Sequence, residues 1–217
     1  MKTNELSVKL NAIMEKWDFS GCISICKDSE VIYQGYHGYA DYEAGKPNDL
    51  ETRFLIASVT KQFTAACIMI LVEEGKINLQ HTLDNYLPEY TYASQITIRQ
   101  MLNMMSGIPD MINEVIVEEI EQDKTERTQE EQLVFEYQTQ SRCFSVSEVL
   151  ELVNNRGLNF EPGTLMNYSN TNYSFLGFIV ERLSGQSLGT FMEERIFKPL
   201  HMNDTICNPT MATSIGY

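Results

Sequence analysis

The sequence has no long hydrophobic run: its longest uninterrupted apolar stretch is Ala65–Val72, far short of the ~20 residues a membrane-spanning helix needs. It is poor in positive charge. Lys+Arg number 16 against 30 Asp+Glu, for a formal net charge of -14 and a pI near 4.6. A surface that negative repels phosphate backbones and anionic lipid, which argues against nucleic-acid and membrane-surface partners. The five cysteines, Cys22, Cys26, Cys67, Cys143 and Cys207, are odd in number and lack C-x-x-C spacing. That excludes a complete disulfide framework and speaks against a zinc site, so free, mostly buried thiols in a reducing compartment are expected. With 12 Gly and 6 Pro the chain is neither collagenous nor a Pro-rich linker. The N-terminal Met1-Lys2-Thr3-Asn4-Glu5-Leu6 has no apolar h-region, so no secretory signal is visible. The expected location is cytoplasmic, the alternative being export with a leader removed before the first residue. No G-x-S-x-G elbow and no phosphate-binding glycine loop occur.

What is present is ordinary globular material, 43% hydrophobic and 21% charged, enough for a real core in one large domain or two small ones. Residues 4–17 place Leu6, Leu10, Ile13, Met14 and Trp17 at three- and four-residue spacings, which predicts an amphipathic helix. Two β-rich runs, 19–26 and 31–39, flank the polar turn Lys27-Asp28-Ser29-Glu30 and predict a hairpin. A helix over 58–74 follows, apolar on all sides at its centre and capped by Gly75. Residues 97–105 predict a short helix and Ser106-Gly107-Ile108-Pro109-Asp110 a break. The acidic run 114–132 reads as a solvated helix face or a mobile loop, with a lid over a pocket as the sharper alternative. Residues 145–154, 171–184 and 187–197 are further helices. Two strands alone make no stable sheet, yet no further strongly β-rich segment appears.

Two short patterns carry possible chemistry. Ser58-Val59-Thr60-Lys61 is an S-x-x-K tetrapeptide at the head of the apolar helix. A serine hydroxyl needs a base to become a good nucleophile. A lysine three residues on lies one helical turn away on the same face, and a lysine desolvated by burial can serve as that base. The plainer alternatives are an N-cap serine and a solvated first-turn lysine. Ser24-Ile25-Cys26-Lys27 fits the same spacing, but on a strand the alternation of faces points the two side chains apart. The second pattern, Tyr168-Ser169-Asn170, follows the Pro162-Gly163 turn. Its phenol and amide suit a proton carrier and a substrate-orienting group; otherwise Tyr168 is a half-buried loop aromatic, and Asn170 or Thr171 caps the next helix.

With their surroundings, these segments resemble the serine β-lactamase and penicillin-binding-protein superfamily, most closely its class C-like branch. The residues that carry the likeness are Phe54 through Thr64, Leu71-Val72-Glu73-Glu74-Gly75-Lys76-Ile77-Asn78-Leu79, Tyr86-Leu87-Pro88-Glu89, Ile96 through Leu102 and Ser106-Gly107-Ile108-Pro109. The densest part runs from Phe160-Glu161-Pro162-Gly163-Thr164 through Tyr168-Ser169-Asn170-Thr171-Asn172-Tyr173 to Pro199-Leu200-His201-Met202. The resemblance implies an α+β fold of the β-lactamase/transpeptidase type: a helix and N-terminal strand hairpin, then a mostly helical region, with the C-terminal sheet strands absent. Residues 1–57 would form the helix and two strands of the α/β part, and 58–217 the active-serine helix and helical subdomain, together one incomplete domain.

The same resemblance implies a covalent acyl-enzyme. Ser58 attacks a carbonyl, Lys61 and Tyr168 share the proton, Asn170 holds Lys61 and the substrate amide, and the Ser58 backbone N–H is an oxyanion donor. No metal or organic cofactor is implied; the partner is a small-molecule or peptide acyl substrate. The family's third motif, K-T-G or H-x-G, is missing: His37-Gly38-Tyr39, His81-Thr82-Leu83, His201-Met202-Asn203 and Lys198-Pro199-Leu200 all fail. Three expectations therefore stand: a serine hydrolase of D-alanyl peptides, β-lactams or esters, impaired in this short form; a silent binding module on the same scaffold; or a piece that assembles with a complementary segment. An open strand edge adds self-association of this short form as a further expectation.

Overall fold

A computed structural model describes residues 3–123, 125–141 and 143–207. They group into two compact units, one drawn from the chain up to Ala57 and from Phe197 onward, the other from Ser58–Ile196.

In the first unit, helix α1 (Thr3–Lys16) precedes strands β1 (Gly21–Lys27) and β2 (Glu30–His37). The strands pair antiparallel from Gly21↔His37 to Lys27↔Glu30. Asp28 and Ser29, at φ 51 and 65, form the two-residue turn whose twist suits a hairpin. The register shifts between Ile25 and Cys26, a β-bulge that leaves one residue of β2 unopposed. Tyr33 is the hairpin's anchor: it is buried, and its hydroxyl donates to Asn11 Oδ1 at 2.8 Å across to α1. A second small pairing joins β3 (Tyr39–Asp41) to β4 (Lys46–Pro47). The sequence reading misses it, because a two-residue strand has no alternation to detect. Among the described residues the β1–β2 sheet has two strands, so each keeps one edge without a strand partner.

The second unit is helical. The turn Ala57–Thr60 leads into α2 (Lys61–Glu73), and the chain continues through α3 (Ile98–Leu102), α4 (Val117–Gln122), α5 (Gln129–Ser141), α6 (Val146–Val153), α7 (Asn170–Ser184) and α8 (Leu188–Met192). Helix α7 is the hub and packs against α2, α3, α6 and α8. Its buried Phe175, Leu176, Ile179 and Val180 recur at helical spacing, while α2 contributes Cys67, Ile68 and Leu71. Truncating a fully buried aromatic such as Phe175 to alanine costs about 3–5 kcal/mol. Gly75 at φ 71 and Gly185 at φ 70 end α2 and α7 in the left-handed conformation expected of them.

Three expectations change. Helix α2 is not buried on all sides, since Met69 is 43% exposed; a uniformly apolar run carries no periodicity to say which face turns inward. The acidic stretch is largely exposed and leaves the helix at 123 and 125–128, but it is not solvated throughout. Met111–Ile116 forms a π-helical turn continued by α4, and Val115, Ile116 and Ile120 are buried among its carboxylates. The thiols are mostly exposed: of the five, Cys67 alone is buried, because Cys22 and Cys26 fall on the open face of β1.

Candidate active site

Ser58 sits in the 3-10 turn, where residues three apart eclipse one another, and Lys61 is the first residue of α2. Lys61 Nζ donates to Ser58 Oγ at 3.1 Å. The N-cap of α2 is Thr60, with no side-chain cap bond, so Ser58 is not the capping residue the plainer reading supposes. Ala57, at φ 43, holds the chain in the left-handed region, which costs a non-glycine residue about 1–2 kcal/mol.

Tyr168 arrives from the loop before α7, and Asn170 from the first position of that helix. Ser169 between them is extended, with φ −145 and ψ 120, so its neighbours emerge on one side and Ser169 on the other. Ser169 is buried with its hydroxyl on the Pro109 carbonyl at 3.3 Å. Tyr168, 43% exposed, shares a short hydrogen bond with Ser58 Oγ and donates to Asn170 Oδ1 at 3.3 Å. Asn170 Oδ1 also accepts from Lys61 Nζ at 2.8 Å. All four sequence-predicted residues thus meet in one hydrogen-bonded cluster. The α7 N-cap is Ser169, again without a side-chain cap bond, and Asn170 opens the helix. Neither Asn170 nor Thr171 is the cap. Both have other partners: Thr171 bonds the Pro109 carbonyl and the Met111 N–H.

Two residues of this cluster are not among the sequence-predicted site residues. Tyr173 places its ring centroid 5.8 Å from Lys61 Nζ, while that of Tyr168 lies at 4.8 Å, so Nζ lies close to two aromatic rings. The Tyr173 hydroxyl donates to the Leu102 carbonyl at 3.0 Å, and burial, then the nearby Tyr168, pushes its phenol above the usual range. Its signal was available: three residues after Asn170 on a helix it shares that face. Asp110, 1% exposed, accepts from Asn170 Nδ2 at 3.0 and 3.3 Å, from the backbone N–H groups of Ile112 at 2.9 Å and Asn113 at 3.2 Å, and from Asn113 Nδ2 at 2.7 Å. Its only signal in the sequence was its place directly after Ser106-Gly107-Ile108-Pro109.

A buried polar seam supports the arrangement. Ser106 Oγ donates to Asn172 Oδ1 at 2.6 Å and accepts from the Ile108 N–H at 3.1 Å. Gly107 makes the seam possible: at φ 77 it runs so close to Phe160 that a Cβ would collide with the Phe160 carbonyl oxygen.

The histidines lie elsewhere, with His37 Nε2 3.0 Å from the Tyr33 hydroxyl and His81 Nδ1 3.1 Å from that of Tyr86. Among the described residues no three His, Cys, Asp or Glu side chains converge as a metal site, and no helix is long and apolar enough to cross a membrane. Chemically, the cluster offers an exposed hydroxyl with an amine and a phenol in direct reach, which is what activating an oxygen nucleophile requires.

Comparison with known proteins gives consistent results. The family model described as Beta-lactamase matches residues 11–216. A penicillin-binding protein of Bacillus subtilis strain 168 is 30% identical over 207 residues, covering 94% of this chain and 41% of that protein. The crystal structure of a penicillin binding protein from Bacillus halodurans is similar with a TM-score of 0.70 at 28% identity, over 90% of this chain and 54% of the other. An octameric penicillin-binding protein homologue from Pyrococcus abyssi gives 0.65 at 30% identity, over 94% and 44%. This chain therefore spans less than half the length of the Bacillus subtilis relative.

Proposed function

Because the chain belongs to the beta-lactamase family and has its α+β, transpeptidase-like fold, we propose that it carries the acylating half of a serine acyl hydrolase whose nucleophile is Ser58. The observation that supports this reading most is the contact of Ser58 Oγ with both Lys61 Nζ and the Tyr168 hydroxyl. Ser58 Oγ bonds to the substrate's carbonyl carbon as the carbonyl π pair moves onto oxygen. The hydroxyl proton passes to the Lys61–Tyr168 pair and on to the leaving nitrogen or oxygen as the old acyl bond breaks. Water then attacks the ester, releases the acid and returns a proton to Ser58. Asn170 keeps Lys61 aligned and faces the substrate amide, and the Ser58 N–H stabilises the oxyanion.

The substrate class is an amide or ester acyl donor: a D-alanyl peptide, a β-lactam or a simple ester. The sequence has no K-T-G or H-x-G to supply a second oxyanion donor, and losing one such donor costs about 10²–10³ in kcat, so slow turnover by this 217-residue form belongs to the proposal. A labelled penicillin or fluorophosphonate, offered to wild type and Ser58→Ala, tests it. Serine-dependent labelling is the expected result; a folded wild type that takes no label would leave a silent binding module. Self-association through the unpaired edge of the β1–β2 sheet is a second element, supported by the octameric Pyrococcus relative. A monomeric mass in solution across a concentration series removes it.

A further inference from the structure

We infer that Asp110 is a positioning residue: it fixes which end of the Asn170 carboxamide faces Lys61. The inference rests on the Ser58 reading for its catalytic consequence, but its geometry stands apart from it. Backbone N–H groups can only donate, and two of them, from Ile112 and Asn113, point at Asp110 Oδ1. With Asn113 Nδ2 on Oδ2, the carboxyl group is committed to accepting. Asn170 must therefore turn its NH2 toward Asp110, at 3.0 and 3.3 Å, and its carbonyl oxygen toward Lys61 Nζ, at 2.8 Å. Rotating the amide by half a turn would set oxygen against the carboxyl oxygens on one side and replace the acceptor of the Lys61 Nζ hydrogen bond with an NH2 on the other. Both interactions would be lost at once.

The polarity of the Asn170 amide is thus dictated by main-chain groups of the 110–113 turn, relayed through one buried carboxylate. Asp110 does not touch Ser58, and it acts on the nucleophile through Asn170 and Lys61. In an Asp110→Asn variant the same two N–H groups hold the new amide's oxygen at the Oδ1 position, which leaves its NH2 facing Asn170 where the carboxylate oxygen had accepted.

Two measurements test this. In 15N-labelled wild type, the Asn170 side-chain NH2, assigned by its loss in Asn170→Asp, should show a proton displaced downfield of a free asparagine's, with slowed solvent exchange. Proton shifts and solvent-exchange rates like those of a free asparagine would overturn the inference, whatever the enzyme does. In fluorophosphonate labelling, Asp110→Asn should slow the bond-forming step by about 10²-fold with little change in the concentration giving half-maximal rate, as expected for a misplaced reacting group. Equal rates for Asp110→Asn and wild type would overturn the inference and leave Ser58 as nucleophile. A folded wild type that takes no label would overturn the Ser58 reading, and the NH2 resonances alone would then decide.

Discussion

The chain contains the same tetrapeptide pattern twice, Ser24-Ile25-Cys26-Lys27 on strand β1 and Ser58-Val59-Thr60-Lys61 at the entry to α2. In the first, Ser24 Oγ lies 3.9 Å from Cys26 Sγ on the exposed face, and Lys27 ends the strand opposite Glu30. In the second, the lysine amine reaches the serine oxygen and both are held by side chains from more than a hundred residues away. Spacing is identical and geometry is opposite. A strand alternates its faces, whereas a 3-10 turn feeding a helix stacks positions three apart. A reactive pair is thus a property of the backbone beneath the pattern and of what the fold delivers above it.

The sharpest way to break this contrast is to exchange the serines for alanine. Ser58→Ala should abolish covalent labelling, while Ser24→Ala should label at the wild-type rate, both read by gel fluorescence. Next come the lysines: Lys61→Met should slow labelling by about 10²–10⁴-fold, the range typical of a lost proton-transfer group, and Lys27→Met should leave it unchanged. A smaller effect concerns the support of the second site. Gly107→Ala forces both a collision and a left-handed alanine, and should lower unfolding stability by about 1–3 kcal/mol in urea titrations. The smallest lies at the far end of α2. There Lys76 first, and Arg195 with it, hold the Glu74 carboxyl below its usual range. A lowered folded pKa stabilises above the ordinary glutamate value of about 4.3 and is lost as pH falls through the folded value. Glu74→Gln should therefore lower Tm slightly at neutral pH, with the gap to wild type closing in acid.

Legibility in the sequence followed the range of the physics. Ser58, Lys61, Tyr168 and Asn170 could be named because their types suit one reaction and the segments around them resemble a known family; spacing alone, shared by Ser24 and Lys27, did not select them. Helices with a clear apolar stripe and a glycine stop, such as α7 with Gly185, were equally plain. Asp110 was not, since its role depends on Asn170, sixty residues on, and on backbone donors that no residue letter encodes. The acidic stretch misled for a related reason: counting its carboxylates hid Val115, Ile116 and Ile120, whose spacing buries one side of the segment. The exposed Cys22 and Cys26 show the converse, for residue type alone suggested burial while their alternate positions on β1 set them facing outward.

The extended Ser169 gives the Tyr168-Ser169-Asn170 stretch a parity. Odd and even positions there belong to opposite sides, one wet and reactive, the other dry and closed by Pro109. A substitution at 169 is limited by the room beneath it, whereas a one-residue insertion would send the phenol inward and bring an interior side chain out to Ser58.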